Sequence, residues 1–436
     1  MEETGSTFQE IEQENIMRRK VCIIICFLCF LAIAYAVQPQ VTHLTSAAIQ
    51  KVKQYVEEKR MPYVYGKGIQ RQPEEKEAIA GTNLDILRAE EERKQQEEKV
   101  NQYINTCIGN MTLEEKLAQM MILTNKSDMS KEKLKMYQPG GIIFFSADFD
   151  GKTVKQVKKR VKKLQACVQI SMFVGVDEEG GEVSRVTSLK EKDVPVFSSA
   201  RNLYKKENKD AVKEETMVKI KLLKSMGINL NFNPVADVVS DTNAYMYERS
   251  ASGDASKVAG YVESVVEVMN ENDMGSCLKH FPGYGNNVNT HLTYAKDGRK
   301  LSVYKKKDFL PFEAGIHKGA DMVMVSHVVM KKVDKKNPAS LSKKVHSILR
   351  EDLGFQGVVI ADDLNMKAIL NQMTLETATQ KAFVAGNDMI FSADFNASMR
   401  GAKRAVENGK LSEEQINESV ARILRMKINR KIIVVE

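Results

Sequence analysis

From Gln119 onward the chain repeats one alternation. A short, almost unbroken apolar run is followed by a longer stretch in which apolar residues recur every three or four positions. The runs are QMMIL, GGIIFF, MFVGVD, INLNFN, SCLKHF, DMVMVSH, GVVIAD and DMIFSA. Runs of this kind predict strands buried on both faces, and the amphipathic stretches between them predict the helices that cover those faces. Eight such units within residues 105–436 suit an α/β fold of the (β/α)8 TIM-type barrel class, in which function gathers at the C-terminal ends of the strands. An open doubly wound sheet is the alternative. No glycine fingerprint for a dinucleotide follows the early strands, which favours the barrel. Thr112 and Glu115, opening MTLEEKLAQMMIL, have the spacing of a capping box.

The pattern upstream differs. Residues 38–104 are polar and charge-rich, ending in LRAEEERKQQEEKVNQYI, where close Glu and Lys/Arg pairs suit a solvated helical stalk. Residues 1–16 are polar and acidic. Arg18, Arg19 and Lys20 then precede the uncharged run VCIIICFLCFLAIAYAV. Residues 17–37 are therefore expected to meet the membrane, as a signal-anchor or as a signal peptide cleaved near Ala34-Tyr35-Ala36. The basic trio keeps residues 1–16 as a cytoplasmic tail, so the remainder is expected outside, membrane-anchored or secreted.

Composition changes this picture little. Hydrophobic residues make up 43% of the chain, enough for a sizeable core, and the net charge is +8. Part of that charge lies in KTVKQVKKRVKKLQ, which reads as a solvated helix face. It lacks the interleaved aromatics of a nucleic-acid surface, so no nucleic-acid partner is expected. Cys22, Cys26 and Cys29 fall in the apolar run, while Cys107, Cys167 and Cys277 are isolated. That is neither a disulfide framework nor a zinc pattern.

The candidate chemistry lies where the strands stop. Asp177, Asn233, Lys279 with His280, His327, and Asp362 with Asp363 each end a predicted strand. One such ending is a common helix cap, but a series of them on one barrel face reads as an active site, with Arg185 and Arg249 as further candidates. The loop KHFPGYGNNVNTHL adds His291. A metal site built from His280, His291, His327 and Asp362 is disfavoured, because no histidine pair has ligand spacing and Lys279 would repel a cation. Gly283 and Gly285 fall short of a phosphate-cradling loop. Glycosyl transfer through a carboxylate remains, with Asp362 placed as nucleophile and a loop histidine as proton donor.

The motifs VDEEGGEVSR, NFNPVADV, ERSASGD, KHFPGYG…H and VVIADDLNM together resemble glycoside hydrolase family 3, in its β-N-acetylglucosaminidase subgroup. The resemblance covers residues 105–436. It implies one barrel domain without metal or cofactor and a covalent glycosyl-enzyme intermediate. Position by position, it implies Asp362 as nucleophile and His291 as acid/base. Asp177, Arg185, Arg249, Lys279 and His280 are implied to hold the sugar's hydroxyls and acetamido group, and Asp363 to cap the next helix. The implied partner is an N-acetylglucosamine-containing glycan or muropeptide. Two departures stand out. Tyr284 replaces a usual histidine, and Asn289 replaces the aspartate that normally grips the catalytic histidine. Asn289 separates the two functional readings: a slowed exo-acting β-N-acetylglucosaminidase, or a carbohydrate-binding scaffold that kept its pocket. A β-glucosidase is a further alternative.

Overall fold

The structure, a computed structural model, describes residues 73–124, 126–191, 193–285 and 295–435. The expected membrane segment at 17–37, the tail before it and the first part of the stalk lie outside the described residues. Among the described residues no helix is long and apolar enough to cross a membrane. The chain divides after Ile86, and the part from Leu87 to Glu436 carries the sheet.

Eight parallel strands form the sheet: β1 (Met121–Leu123), β2 (Gly141–Phe144), β3 (Phe173–Val176), β4 (Leu230–Asn231), β5 (Gly275–Phe281), β7 (Met322–Val325), β9 (Val358–Ala361) and β10 (Ile390–Ser392). Their order is β10-β1-β2-β3-β4-β5-β7-β9. The two ends of that order meet at a parallel bridge between Ile360 and Met389, so the sheet curls into a nearly closed barrel. Residues of these strands are buried throughout, as their apolar runs require. Two strands not expected from the pattern, β6 (Lys296–Asp297) and β8 (Val329–Met330), pair with each other outside the barrel.

Strand β4 is shorter than INLNFN implies, for two reasons. Pro234 lacks a donor, and Asn231 spends its side chain on the neighbouring turn: Oδ1 accepts from Glu178 N at 2.9 Å and Nδ2 donates to Glu178 O at 3.0 Å. Asn233 accordingly lies past the end of the strand, where its carbonyl accepts from Cys277 N.

The helices follow their amphipathic stretches. In Val154–Gln165, Val157, Val161 and Leu164 are buried against the barrel, while Lys155, Lys158, Lys159, Lys162 and Lys163 face solvent. The helix Leu113–Gln119 opens with the capping box: Thr112 Oγ1 accepts from Glu115 N, and Glu115 Oε2 accepts from Thr112 N at 2.8 Å. The helix Pro73–Asn110 reaches beyond the expected end of the stalk, and its Val100, Ile104 and Ile108 are buried in the main core. A second, smaller apolar cluster gathers Val235, Val239, Met246, Tyr284, Ala295 and Val328 beneath the loops that follow β4, β5 and β7.

Candidate active site

The C-terminal strand ends enclose a cavity of about 180 Å³. Asp177 follows β3, Lys279 and His280 belong to β5, and Asp362 follows β9. Arg185 and Arg249 come from the loops after β3 and β4. All six line the cavity. Asn289 and His291 lie outside the described residues. Asn233 and His327 do not line the cavity. His327 is wholly buried behind its wall, with Nδ1 2.7 Å from Ser340 Oγ and Nε2 3.0 Å from the Asp363 carbonyl. A carbonyl only accepts, so Nε2 carries the proton and both ring nitrogens are engaged.

Local chain geometry explains each placement. After β3 the chain turns through Glu178-Glu179-Gly180-Gly181. Gly180 has φ of 101°, and a Cβ there would lie 2.1 Å from the Ser198 carbonyl oxygen, so only glycine fits. The turn brings Arg185 back to the cavity. Buried Glu178 fixes it there, its Oε2 accepting from Arg185 N at 2.7 Å and Val186 N at 3.1 Å. Next to Arg249, Ser250 is fully buried and anchors the loop by donating through Oγ to Asp237 O at 2.7 Å. Asp362 continues the β9 ladder by donating its N–H to Val325 O at 2.9 Å, which sets its height in the barrel.

The residue that organises the wall is Glu179. Its carboxylate takes both arms of a fork from Arg249, Nε to Oε2 and Nη2 to Oε1, each at 2.8 Å, and it pairs with Lys279 Nζ at 2.6 Å. Lys279 also donates to Asp177 Oδ1 at 2.7 Å. Burial by itself would raise the Glu179 carboxyl, but the Arg249 and Lys279 charges outweigh it and hold it well below the usual carboxylate range. Burial likewise acts to lower Lys279, and Asp177 and Glu179 more than reverse this, so the ammonium stays charged. Asp237 orients His280. One carboxylate oxygen lies 2.7 Å from Nδ1 and the other accepts from Tyr284 N at 2.7 Å. The His280 proton therefore sits on Nδ1, and Nε2 faces Arg249 Nη2 at 3.4 Å. Tyr284, in place of the usual histidine, packs edge-on against the His280 ring.

Glu179 and Asp237 both occur in the quoted motifs, yet nothing in the run DEEGG itself tells which acid turns inward. Asp363 corrects an expectation. Its Oδ1 accepts from Asn365 N at 2.9 Å and Asn365 Nδ2 at 2.6 Å, so it braces the turn after β9. The helix Lys367–Leu370 starts later, and its N-cap residue, Met366, makes no side-chain cap. Burial raises the Asp363 carboxyl.

A barrel with this ring of carboxylates and cations at its strand ends has the architecture of a glycoside hydrolase. The family profile described as "Glycosyl hydrolase family 3 N terminal domain" matches residues 112–426, and the chain belongs to that family. A "Beta-hexosaminidase" of Xanthomonas campestris pv. campestris (strain B100) is 31% identical over 271 residues, which make up 61% of this chain and 81% of that protein. A "Beta-hexosaminidase" of Neisseria meningitidis serogroup C (strain 053442) is 31% identical over 268 residues, 60% of this chain and 73% of that protein. Among solved structures, a glycoside hydrolase family 3 β-N-acetylglucosaminidase from Paenibacillus sp. str. FPU-7 superposes with a TM-score of 0.70 at 29% identity. That match covers 74% of this chain and 63% of the other.

Proposed function

We propose that the protein is a retaining exo-β-N-acetylglucosaminidase, forming a covalent intermediate on Asp362 and acting outside the membrane on glycans or cell-wall fragments. The observation that carries this reading is the convergence of Asp362 with Asp177, Arg185, Arg249, Lys279 and His280 on one cavity. The β-hexosaminidase names of its relatives support the choice of sugar.

In the first step an Asp362 carboxylate oxygen attacks the anomeric carbon as the glycosidic bond breaks. The bonding pair leaves with the aglycone oxygen, which takes a proton from His291. In the second step water gives a proton to His291 and attacks the same carbon, and the bond to Asp362 breaks, restoring the carboxylate. Lys279, Asp177, His280 and Arg249 hold hydroxyls in a wall already fixed by Glu179, so little reorganisation is needed on binding. Arg185 Nε has no hydrogen-bond partner among the described residues, which leaves this arginine available to an acetamido carbonyl.

One residue favours the second reading, a sugar-binding protein with little turnover. Asn289 can orient an imidazole by accepting its proton but offers no charge to the imidazolium. A charge-assisted hydrogen bond exceeds a neutral one by roughly 1 kcal/mol, or about fivefold in rate. The test is an assay of the full-length protein on an aryl β-N-acetylglucosaminide and on an unactivated disaccharide, with and without phosphate. The parent should hydrolyse both, the disaccharide slowly, and Asp362→Ala neither. Asn289→Asp should speed the disaccharide several-fold. A slow fluorinated substrate should label Asp362; label on Asp177 or Asp363 overturns the mechanism. Sugar binding without turnover in either the parent or Asn289→Asp establishes the second reading.

A further inference from the structure

The cavity at the strand ends is small. Its volume of about 180 Å³ falls below the roughly 300–1,000 Å³ of pockets that enclose a drug-sized ligand, so it has room for one sugar unit. Burial sets its floor apart from its mouth. Lys279, His280 and Asp362 are almost wholly buried and form the floor. Two further lining residues, Phe145 and Tyr245, are 37% and 39% exposed and stand at the mouth. No other phenylalanine or tyrosine among the described residues is as exposed. Apolar groups left in water beside a cavity mark a surface that a ligand covers.

Each ring is placed by its backbone and held by its neighbours. Phe145 directly follows β2. Ile143 also lines the cavity, and the two-residue period of a strand sends Phe145 to the same side, one step nearer the mouth. The Phe145 N–H donates to Asp148 Oδ2 at 2.9 Å, and buried Asp148 pairs with Arg160 at 2.6 Å. Tyr245 comes from the loop after β4. Its hydroxyl oxygen accepts from Arg249 Nη1 at 3.3 Å, and the Arg249 guanidinium lies 5.6 Å from the ring centre. Arg249 is itself locked in the Glu179 fork, so the Tyr245 ring is tied to the cavity wall.

We propose that Phe145 and Tyr245 are specificity-determining residues that form the aglycone subsite. They receive a pyranose ring on the leaving side of the scissile bond. In a glucosamine-type ring the substituents are equatorial, so the faces present C–H bonds. An aromatic ring covers such a face while the hydroxyls at the sugar's edge stay in water. The substrate class selected is a glycan in which the terminal N-acetylglucosamine is joined to a second sugar ring, in preference to a small alcohol. The inference rests on the reading of the cavity as a site of glycosyl transfer, and the choice of substrates separates the two.

The experiment compares kcat/KM, which reports events up to the first bond cleavage, on three substrates. N,N′-diacetylchitobiose has a ring in its leaving group and needs a proton to release it. 4-Nitrophenyl β-N-acetylglucosaminide has a ring and leaves as a stable anion. β-N-acetylglucosaminyl fluoride has no ring and needs little proton assistance. Full-length parent, Phe145→Ala, Tyr245→Ala and Tyr245→Phe proteins are each measured. Either alanine variant should lose about fivefold or more on both ring-bearing substrates and less than about twofold on the fluoride. Tyr245→Phe keeps the ring and should stay within about twofold of the parent on all three. If an alanine variant does not fold, leucine at the same position decides, since it keeps bulk without a ring. Equal losses on all three substrates mean that the sugar cavity itself was disturbed and overturn the proposal, as does no loss on any. Loss on the disaccharide alone means an effect on proton delivery, and this too overturns it. A parent inactive on all three overturns the glycosidase reading, and the aglycone role falls with it.

Discussion

At the scale of single residues, the site depends on a carboxylate that is expected never to touch the reacting atoms. Glu179 neutralises the buried Arg249 and shares the buried Lys279 with Asp177. Removing one partner of such a cluster costs about 3 kcal/mol or more. Asp177 remains beside Lys279, which puts the expected loss for Glu179→Gln at the lower end. Denaturant unfolding of the variant should show that loss, with KM for the aryl substrate raised because Lys279 and Arg249 are no longer held. Unchanged stability and KM would mean the cavity wall does not depend on this carboxylate. Glu179 also illustrates where sequence reading stops. A strand ending in Asp177 places that side chain by the two-residue period of the strand. Two residues later no period applies, and the orientation of Glu179 is decided by a glycine turn whose shape comes from contact with Ser198.

At the scale of elements, the eight strands of the barrel, the helices between them and the capping box at Thr112 were legible because each has a local physical signature. The β6–β8 pair was not, since two-residue strands carry no periodicity. His327 misled because a strand-end rule assumes the side chain points into the barrel mouth, whereas the chain after β7 turns toward β8 and takes His327 behind the wall. Equally hidden is Lys427, on the helix Glu413–Asn429, which is fully buried with Gln119 Oε1 as its hydrogen-bond partner at 2.8 Å. Burial pushes its ammonium down to about 7. Between that value and its ordinary 10.5 the unfolded chain holds more protons than the folded one, so this residue makes stability rise with pH across the window. Below the window the folded state bears the full penalty, on the order of 4–5 kcal/mol. Lys427→Met removes it but leaves Gln119 Oε1 unpaired, at about 1–3 kcal/mol. The variant should therefore melt higher than the parent at pH 6, and that advantage should shrink or reverse by pH 9.5. An equal melting difference at both pH values would show that Lys427 is not buried as a cation.

At the scale of the whole molecule, the proposal that the barrel faces the outside rests on Arg18, Arg19 and Lys20 before an uncharged run. Protease added to intact cells should digest the barrel or release it, and protection until lysis would overturn that topology. Folding of the barrel meets a constraint from its topology. Strand β1 pairs with β10 on one side and β2 on the other. The helix Leu113–Gln119 is tied to the helix Glu413–Asn429 through Lys116 and Glu413 at 2.8 Å, partners 297 positions apart. At synthesis rates of roughly 5–20 residues per second, β1 leaves the ribosome more than ten seconds before its last neighbour. During that delay one edge of β1 has no native strand to pair with, and unpaired edges invite pairing with other chains. A closed ring built in order along the chain thus has no finished half. Its waiting time is the length of the chain divided by the speed of the machine that delivers it.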